Sequence, residues 1–590
     1  MSRTTPLAEI TFALRAYGGL DRLIATGAFP DLDSETAAAI VEEAERFAED
    51  QLAPLNQPGD RAGVTLADGI VTTPPGWKET YKRWREAGWN GLGSPPEWGG
   101  QGLPMVLQMA LQEIWNSANA AFAVGPMLNG GAVQALIAHA TEDLRQRYLP
   151  KVVSGEWMVT MDLTEPQAGS ELGAIATKAV RAGDGSYRLF GQKTFITYGD
   201  HDFTDNIVHL VLARLADAAH GTTGISMFLV PKLLDDGTPN DLVAAANEHK
   251  LGLHASPTCT MVYGEAGRGA TGWLVGKENR GLVCMFTMMN HARLAVGAQG
   301  VGVASRALRL ALAFATERRQ GHALGAPRGE MSPIAAHPDI QRELSTMSAL
   351  TAISRALVYA CAEAIDMSIA GAETERHAWA DRANLLTPLA KAFATDAANA
   401  VTSAGIQVHG GAGYVEETGA AQLFRDARVF AIYEGTNGIQ AIDLATRKVK
   451  LAGGAPVAAV INEISAIAAA VAAANRPEFG QTAARLAEAG KHLAAATAYL
   501  AKALAAGNLQ PAQAGATPYL RLFALAFGGA LLAKGALGAD EANRDRATAL
   551  ARFHAESLLG EAAPLAAAVI EGAEGLQQAA RHLGIAEPTS

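Results

Sequence analysis

Between Gln407 and Lys448 the chain reads QVHGGAGYVEETGAAQLFRDARVFAIYEGTNGIQAIDLATRK, and this stretch holds the residues best suited to chemistry. Gly410, Gly411 and Gly413 follow a helical pattern. Lacking Cβ atoms, they let backbone N–H groups approach a phosphate closely, although a helix C-cap explains them equally well. Glu434 stands just before Gly435 and Thr436. Thr436 is a good N-cap for the helix that carries Ile439, Ile442 and Thr446, so the carboxylate is expected at an ordered turn, where it can work as a general base. On Tyr433-Glu434-Gly435-Thr436 alone, a solvated loop glutamate is the simpler explanation.

Two further clusters precede it. MDLTEPQAGSELGAIATKA offers hydroxyls at Thr164 and Ser170 beside Gly169. KTFITYG ends an expected strand with Phe195 and Thr197 two residues apart, hence on one face. An aromatic ring and a hydroxyl so placed could pack on a flavin and hydrogen-bond its N5. Half-buried strand residues account for the pair as well.

The elements that must position these groups alternate in period. Residues 33–156 show helical spacing, as in ETAAAIVEEAERFAEDQL and PMVLQMALQEIW; residues 1–32 form an N-terminal extension. From 157 to 280 the pattern becomes short strands, YRLFGQKTFITYG, NIVHLVLARL and GISMFLVP, with Gly191-Gln192 as an expected hairpin turn. Helical spacing returns over 281–450 as a bundle, interrupted by a Gly- and Pro-rich loop from Gln320 to Ile340. An alanine-rich helical domain is expected over 456–583. The fold class is therefore mainly α with a central β domain.

Composition narrows the partners. A net charge of -11 opposes binding to nucleic-acid phosphates or anionic lipid. Cys259, Cys284 and Cys361 lie too far apart for metal-ligand spacing, and their odd number argues against a disulfide framework, so a reducing, cytoplasmic setting and no metal are expected. The N-terminus shows no continuous apolar region of a signal peptide. The longest apolar run, Leu522 to Ala533, falls short of the roughly 20 residues of a membrane span.

In this order and spacing the three clusters resemble the acyl-CoA dehydrogenase family, from about Asp33 to Lys450. PPEWGGQGL, KLGLHASPT, ARLAVGAQGVG and ERRQG are similar to further family pieces, and MMNHARL, PIAAHPDIQ and the C-terminal domain resemble its long bacterial branch. The resemblance implies an α domain, a β barrel-like domain and a four-helix bundle, with FAD as cofactor. It implies that Met161, Leu163, Thr164 and Ser170 line the flavin and its phosphates, and that Phe195 and Thr197 flank the ring. Arg318, Gln407, Gly410 and Gly411 would grip the ADP half across a subunit interface, and Thr436 would make a further cofactor contact. Asn290 and Arg293 would border the acyl-CoA channel. Glu434 would be the catalytic base, forming trans-2-enoyl-CoA, with electrons leaving to an electron-transfer flavoprotein.

Two departures stand out. Gly438 replaces a glutamine common in the family, and the 320–340 loop displaces the usual aromatic beside Arg318. Ala292 occupies the place where some relatives carry an alternative base, which leaves Glu434 alone in that role. A short or medium acyl chain is expected, with 3-methylmercaptopropionyl-CoA as the alternative substrate. An acyl-CoA oxidase, a DNA-associated relative and a catalytically silent assembly protein are the competing functions. The near balance of acidic and basic residues after Leu451 opposes the second, and the presence of Glu434 and Thr197 opposes the third. The apolar segment from Tyr519 to Leu537 must be buried, and a C-terminal domain packed on the bundle would leave a homodimer.

Overall fold

The computed structural model describes residues 6–327 and 329–585. They form two compact units that do not follow chain order. One comprises the described part of Met1–Glu42, Met105–Glu113 and the described part of Val296–Ser590; the other is Glu43–Pro104 with Ile114–Ala295.

The second unit contains a small hairpin, β1 (Thr65–Ala67) and β2 (Ile70–Thr72), inside the otherwise helical N-terminal region. Its eight-stranded sheet consists of β3 (Trp157–Asp162), β4 (Lys178–Arg181), β5 (Tyr187–Thr197), β6 (Asn206–Leu215), β7 (Ile225–Pro231), β8 (Leu242–Asn247), β9 (Thr258–Tyr263) and β10 (Ala270–Val275). The ring β10-β7-β6-β4-β5 closes through β5–β10 pairing, so the sheet is the barrel-like domain expected; β9 extends it and β3 joins β6 in parallel. Leu189, Val211, Phe228, Val230 and Met261 fill one core.

The expected turn at Gly191-Gln192 is absent, because both residues lie inside β5. At Gly191 the strand passes from pairing with β10 to pairing with β9. A Cβ there would come within 2.8 Å of the Thr177 Cα, so this glycine serves close backbone approach.

The first unit is helical. Its elements are α1 (Leu7–Ala16), the start of α2 (Met105–His139), the latter part of α3 (Gly281–Glu317), α4 (Pro338–Ala370), α5 (Glu373–His409) and α6 (Asn437–Thr446). They are followed by α7 (Ala455–Ala474), α8 (Thr482–Ala505), α9 (Ala516–Gly538), α10 (Glu541–Phe553) and α11 (Ala562–His582). The loop expected to reach Ile340 ends earlier: Pro338 already belongs to α4, since proline suits the first helical turn, where its missing N–H has no partner to lose.

The apolar α9 is buried within this unit, and bundle residues receive it directly. A Cβ on Gly528 would collide with Ile353 of α4, and one on Gly535 with Tyr17 just after α1. Arg382 of α5 lies 5.3 Å over the Phe527 ring and pairs with Glu463 of α7 at 2.9 Å. Uninterrupted apolar runs understate the helices: among the described residues four helical stretches, one of them running from α6 through α7, meet the length and composition of a membrane crossing, and in the other three 83% of the apolar window is buried in the protein itself.

Candidate active site

In the helical unit, a short 3-10 turn over Arg428–Ala431 delivers the chain to Tyr433, Glu434 and Gly435. Glu434 has φ +55° and Gly435 φ +83°. A left-handed conformation costs a non-glycine residue about 1–2 kcal/mol, so the surroundings must hold it. They do so on both sides. The buried Tyr433 hydroxyl donates to the side chain of Gln299, which is itself fully buried. The Lys391 ammonium, fully buried in α5, donates to the Gly435 carbonyl at 2.9 Å and to Asn437 Oδ1 at 2.9 Å. Gln440 Nε2 donates to the same carbonyl at 3.3 Å. Thr436 caps α6 by accepting from the Ile439 N–H at 3.2 Å, as its position suggested. Glu434 is half-buried.

Lys391, Gln299, Asn437 and Gln440 escaped the sequence reading. The available signal was a lone lysine within the apolar run LLTPLAKAFA, where a fully buried ammonium requires partners. Beside the turn, Asp396, Asn399, Phe424, Arg428, Ile432, Thr436 and Gly438 line a cavity of about 500 Å³. Gly438 thus borders open space, and a Cβ there would meet only the Thr436 hydroxyl, at 3.8 Å.

At the C-terminal end of α5, His409 stacks on Phe314 with centroids 4.6 Å apart. That contact brings Arg318, whose N–H bonds the Phe314 carbonyl at 2.8 Å, to the same end of the bundle as Gln407, Gly410 and Gly411. All four are exposed. Gly410, with φ +60°, is the C-cap of α5, so the capping explanation of the glycines holds for this residue. A Cβ on Gly410 or Gly411 would meet nothing within 4 Å, which leaves the backbone open to a ligand.

In the β unit, Met161 is the penultimate residue of β3, followed by Leu163 and Thr164. The Thr164 carbonyl accepts from the Thr194 N–H at 2.9 Å, and Thr160 Oγ1 donates to the Thr197 carbonyl at 2.8 Å. These bonds bring Thr164, Phe195 and Thr197 together. Ser170 is exposed beyond the tight turn in which Glu165 and Ala168 exchange backbone bonds. Phe195 departs from a regular strand: the β5–β9 register slips between Lys193 and Ile196, and Phe195 adopts φ +59° with 63% of its surface exposed. On α3, Arg293 Nη1 lies 3.4 Å from Asn290 Oδ1, with the guanidinium 5.8 Å above Phe286. These three residues therefore share one helix face.

Family sequence profiles match well over half of the chain: acyl-CoA dehydrogenase N-terminal domain at 34–156, middle domain at 160–265 and C-terminal domain at 279–449. The chain belongs to the acyl-CoA dehydrogenase family. Residues 460–579 match a fourth profile, acetyl-CoA dehydrogenase C-terminal like. The 3-methylmercaptopropionyl-CoA dehydrogenase of Ruegeria pomeroyi is 42% identical, with 88% of this chain and 89% of the relative covered. A butyryl-CoA dehydrogenase of Syntrophomonas wolfei is 35% identical, with 78% of each chain covered. An acyl-CoA dehydrogenase structure from Bacillus anthracis, complexed with FAD, has a TM-score of 0.75 over 95% of this chain and 93% of its own; at 21% identity it speaks for the fold alone, C-terminal domain included.

As an acyl-CoA dehydrogenase the protein is an FAD-dependent enzyme acting on acyl-CoA. Its residues fit that cofactor. Phe195 offers an exposed aromatic face held by a strained backbone, and the Thr194 hydroxyl beside it is buried without a partner among the described residues. The open Gly410-Gly411 backbone beside exposed Arg318 suits a phosphate-bearing ligand.

Proposed function

We propose that this dehydrogenase converts a short- or medium-chain acyl-CoA to the trans-2-enoyl-CoA, with Glu434 removing the α proton. The observation that carries this reading is the anchored left-handed turn at Glu434-Gly435, a strained placement that the surrounding hydrogen bonds over-determine. FAD, when bound, accepts the β hydrogen as hydride. The thioester oxygen is held by the Glu434 backbone N–H, which stabilises enolate character as the proton leaves. Met161, Leu163, Thr164, Ser170, Phe195 and Thr197 bind the flavin side of the cofactor, Arg318, Gln407, Gly410 and Gly411 its ADP side, and Thr436 makes a further contact. Asn290 and Arg293 border the acyl-CoA channel.

The similarity to butyryl-CoA and 3-methylmercaptopropionyl-CoA dehydrogenases supports a short acyl chain and makes 3-methylmercaptopropionyl-CoA the first substrate to try. The electron acceptor we propose is an electron-transfer flavoprotein. An oxidase would instead form peroxide at every turnover when the reduced enzyme meets air. The three unpaired, buried cysteines suit a cytoplasmic enzyme.

Glu434→Gln should retain FAD and acyl-CoA binding while flavin reduction slows by about 10²–10⁴-fold or more. Stopped-flow bleaching of the flavin band measures this, and a variant as fast as the parent refutes the assignment. We further propose a homodimer, because α9 and its neighbours occupy bundle surface. Light scattering should then give about twice 61.4 kDa. A monomer that binds FAD at full affinity would overturn the shared site.

A further inference from the structure

The buried ion pair Lys193–Glu165 aims the flavin-facing residues of the β domain; we infer that Lys193 is a cofactor-positioning residue, a role resting on the placement of Thr164, Phe195 and Thr197 proposed above. In a regular strand, residues 193, 195 and 197 would share one face. Here Lys193 has no exposed surface, whereas Phe195 is 63% exposed. The register slip between Lys193 and Ile196 reverses the phase: Lys193 and Thr194 are buried in succession, and from there Phe195 emerges outward with Thr197 half-buried behind it.

What holds the bulge is chemistry at the inward end. The Lys193 ammonium donates to the Leu163 carbonyl at 3.0 Å and to Glu165 Oε1 at 2.8 Å. Glu165 accepts in addition from the Thr177 hydroxyl at 2.6 Å, the Thr177 N–H at 3.1 Å, the Ala176 N–H at 2.7 Å and Gln167 Nε2 at 2.7 Å. Lys193 therefore clamps the backbone on one side of Thr164 and the side chain on the other. The Thr194 N–H, next along β5, takes the Thr164 carbonyl itself. If β5 slid back into regular alternation, the ammonium would leave its carboxylate and stand unpaired in the core, so the ion pair and the outward aim of Phe195 are one constraint.

The test compares Lys193→Met with the double variant Lys193→Met/Glu165→Gln, which removes both charges and leaves no buried ion unpaired. Phe195→Ala reports the placement, and Asn240→Ala, which removes barrel bonds to the Pro231 and Thr271 carbonyls, is the control for simple destabilisation. FAD affinity of the apoprotein, the flavin absorbance envelope and the flavin midpoint potential are read on folded protein. Loss of a charge-assisted network should weaken FAD binding roughly 10- to 100-fold and shift spectrum and potential in both Lys193 variants. Asn240→Ala should lower the melting temperature and leave the flavin unchanged. If Phe195→Ala moves the flavin while the folded double variant keeps parent affinity, spectrum and potential, Lys193 only stabilises the barrel and the inference fails. If Phe195→Ala also leaves the flavin unmoved, the placement fails with it.

Discussion

Each unit of the molecule buries an arginine or lysine against a glutamate, and the two pairs are used differently. In the barrel, Lys193 and Glu165 lie 28 residues apart, beside the bulge that turns Phe195 outward. In the helical unit, Arg355 bonds Glu113 with Nη2 at 2.6 Å and Nε at 3.0 Å across 242 residues, and Tyr359 donates to the same carboxylate at 2.9 Å. Arg355 also reaches Glu9 of α1 at 3.4 Å, and Glu9 pairs with Arg546 of α10 at 2.6 Å. One network sets local geometry; the other staples the N-terminal extension, the bundle and the C-terminal domain. A buried charge makes its position nonnegotiable, and that rigidity can be applied to a single side chain or to the assembly of distant segments.

The largest expected effect falls at Arg355. Replacing it with methionine leaves Glu113, with no exposed surface, without its cation and held only by the Tyr359 hydroxyl, at a cost of about 3–5 kcal/mol. Chemical denaturation of Arg355→Met should show that loss without a change in the flavin spectrum of the folded fraction. Adding Glu113→Gln should recover most of it. A spectral shift in Arg355→Met would mean that the two networks are not separate in function.

One buried carboxyl in each unit should also titrate in the opposite sense to the other. Burial alone would raise the Glu165 pKa, but Lys193 and the hydrogen bonds outweigh it and hold the carboxyl down to about 2. Its folded pKa lies below the unfolded one, so its stabilisation is present above about pH 4.5 and is lost as pH falls toward 2. Asp366 of α4 behaves in reverse. Burial pushes it up to about 7, although it accepts from the Met105 and Val106 N–H groups at the start of α2 at 2.6 and 2.9 Å. The folded state then binds more protons than the unfolded one between pH 3.8 and 7, so stability falls as pH rises through that window. Denaturation midpoints from pH 4 to 8 should show Asp366→Asn gaining on the parent as pH increases. A constant difference would place the carboxylate charge in the folded protein throughout.

The sequence carried the alternation of helical and strand regions because apolar period is a local property. It also carried the Thr436 cap, which needs only a threonine three residues ahead of an N–H. The bulge at Phe195 was not legible, because it arises from the partner that Lys193 finds 28 residues earlier. Gly191 misled for a related reason: a glycine in a strand pattern suits a turn or a close approach, and Thr177 decides which. Lys391 lay in plain view, but its acceptors at Gly435 and Asn437 lie more than 40 residues on. Residues 1–32 looked like a mere extension. Glu9 and Tyr17 gain their meaning only against Arg355, Arg546 and Gly535.

The smallest expected effect lies at the exposed end of the Arg355 network. Arg546 is 51% exposed at the side chain and meets Glu9, which is 24% exposed, so water already solvates much of the pair and screens it. Arg546→Ala should therefore cost only about 0.2–1 kcal/mol, and less in high salt, although the pair joins α1 to the C-terminal domain. Arg355 also reaches Glu9 but is bound chiefly to the buried Glu113, so the two arginines set a buried ion pair against an exposed one within one network. A loss in Arg546→Ala as large as that in Arg355→Met, unchanged by salt, would show that linking the extension to the C-terminal domain matters more than desolvation.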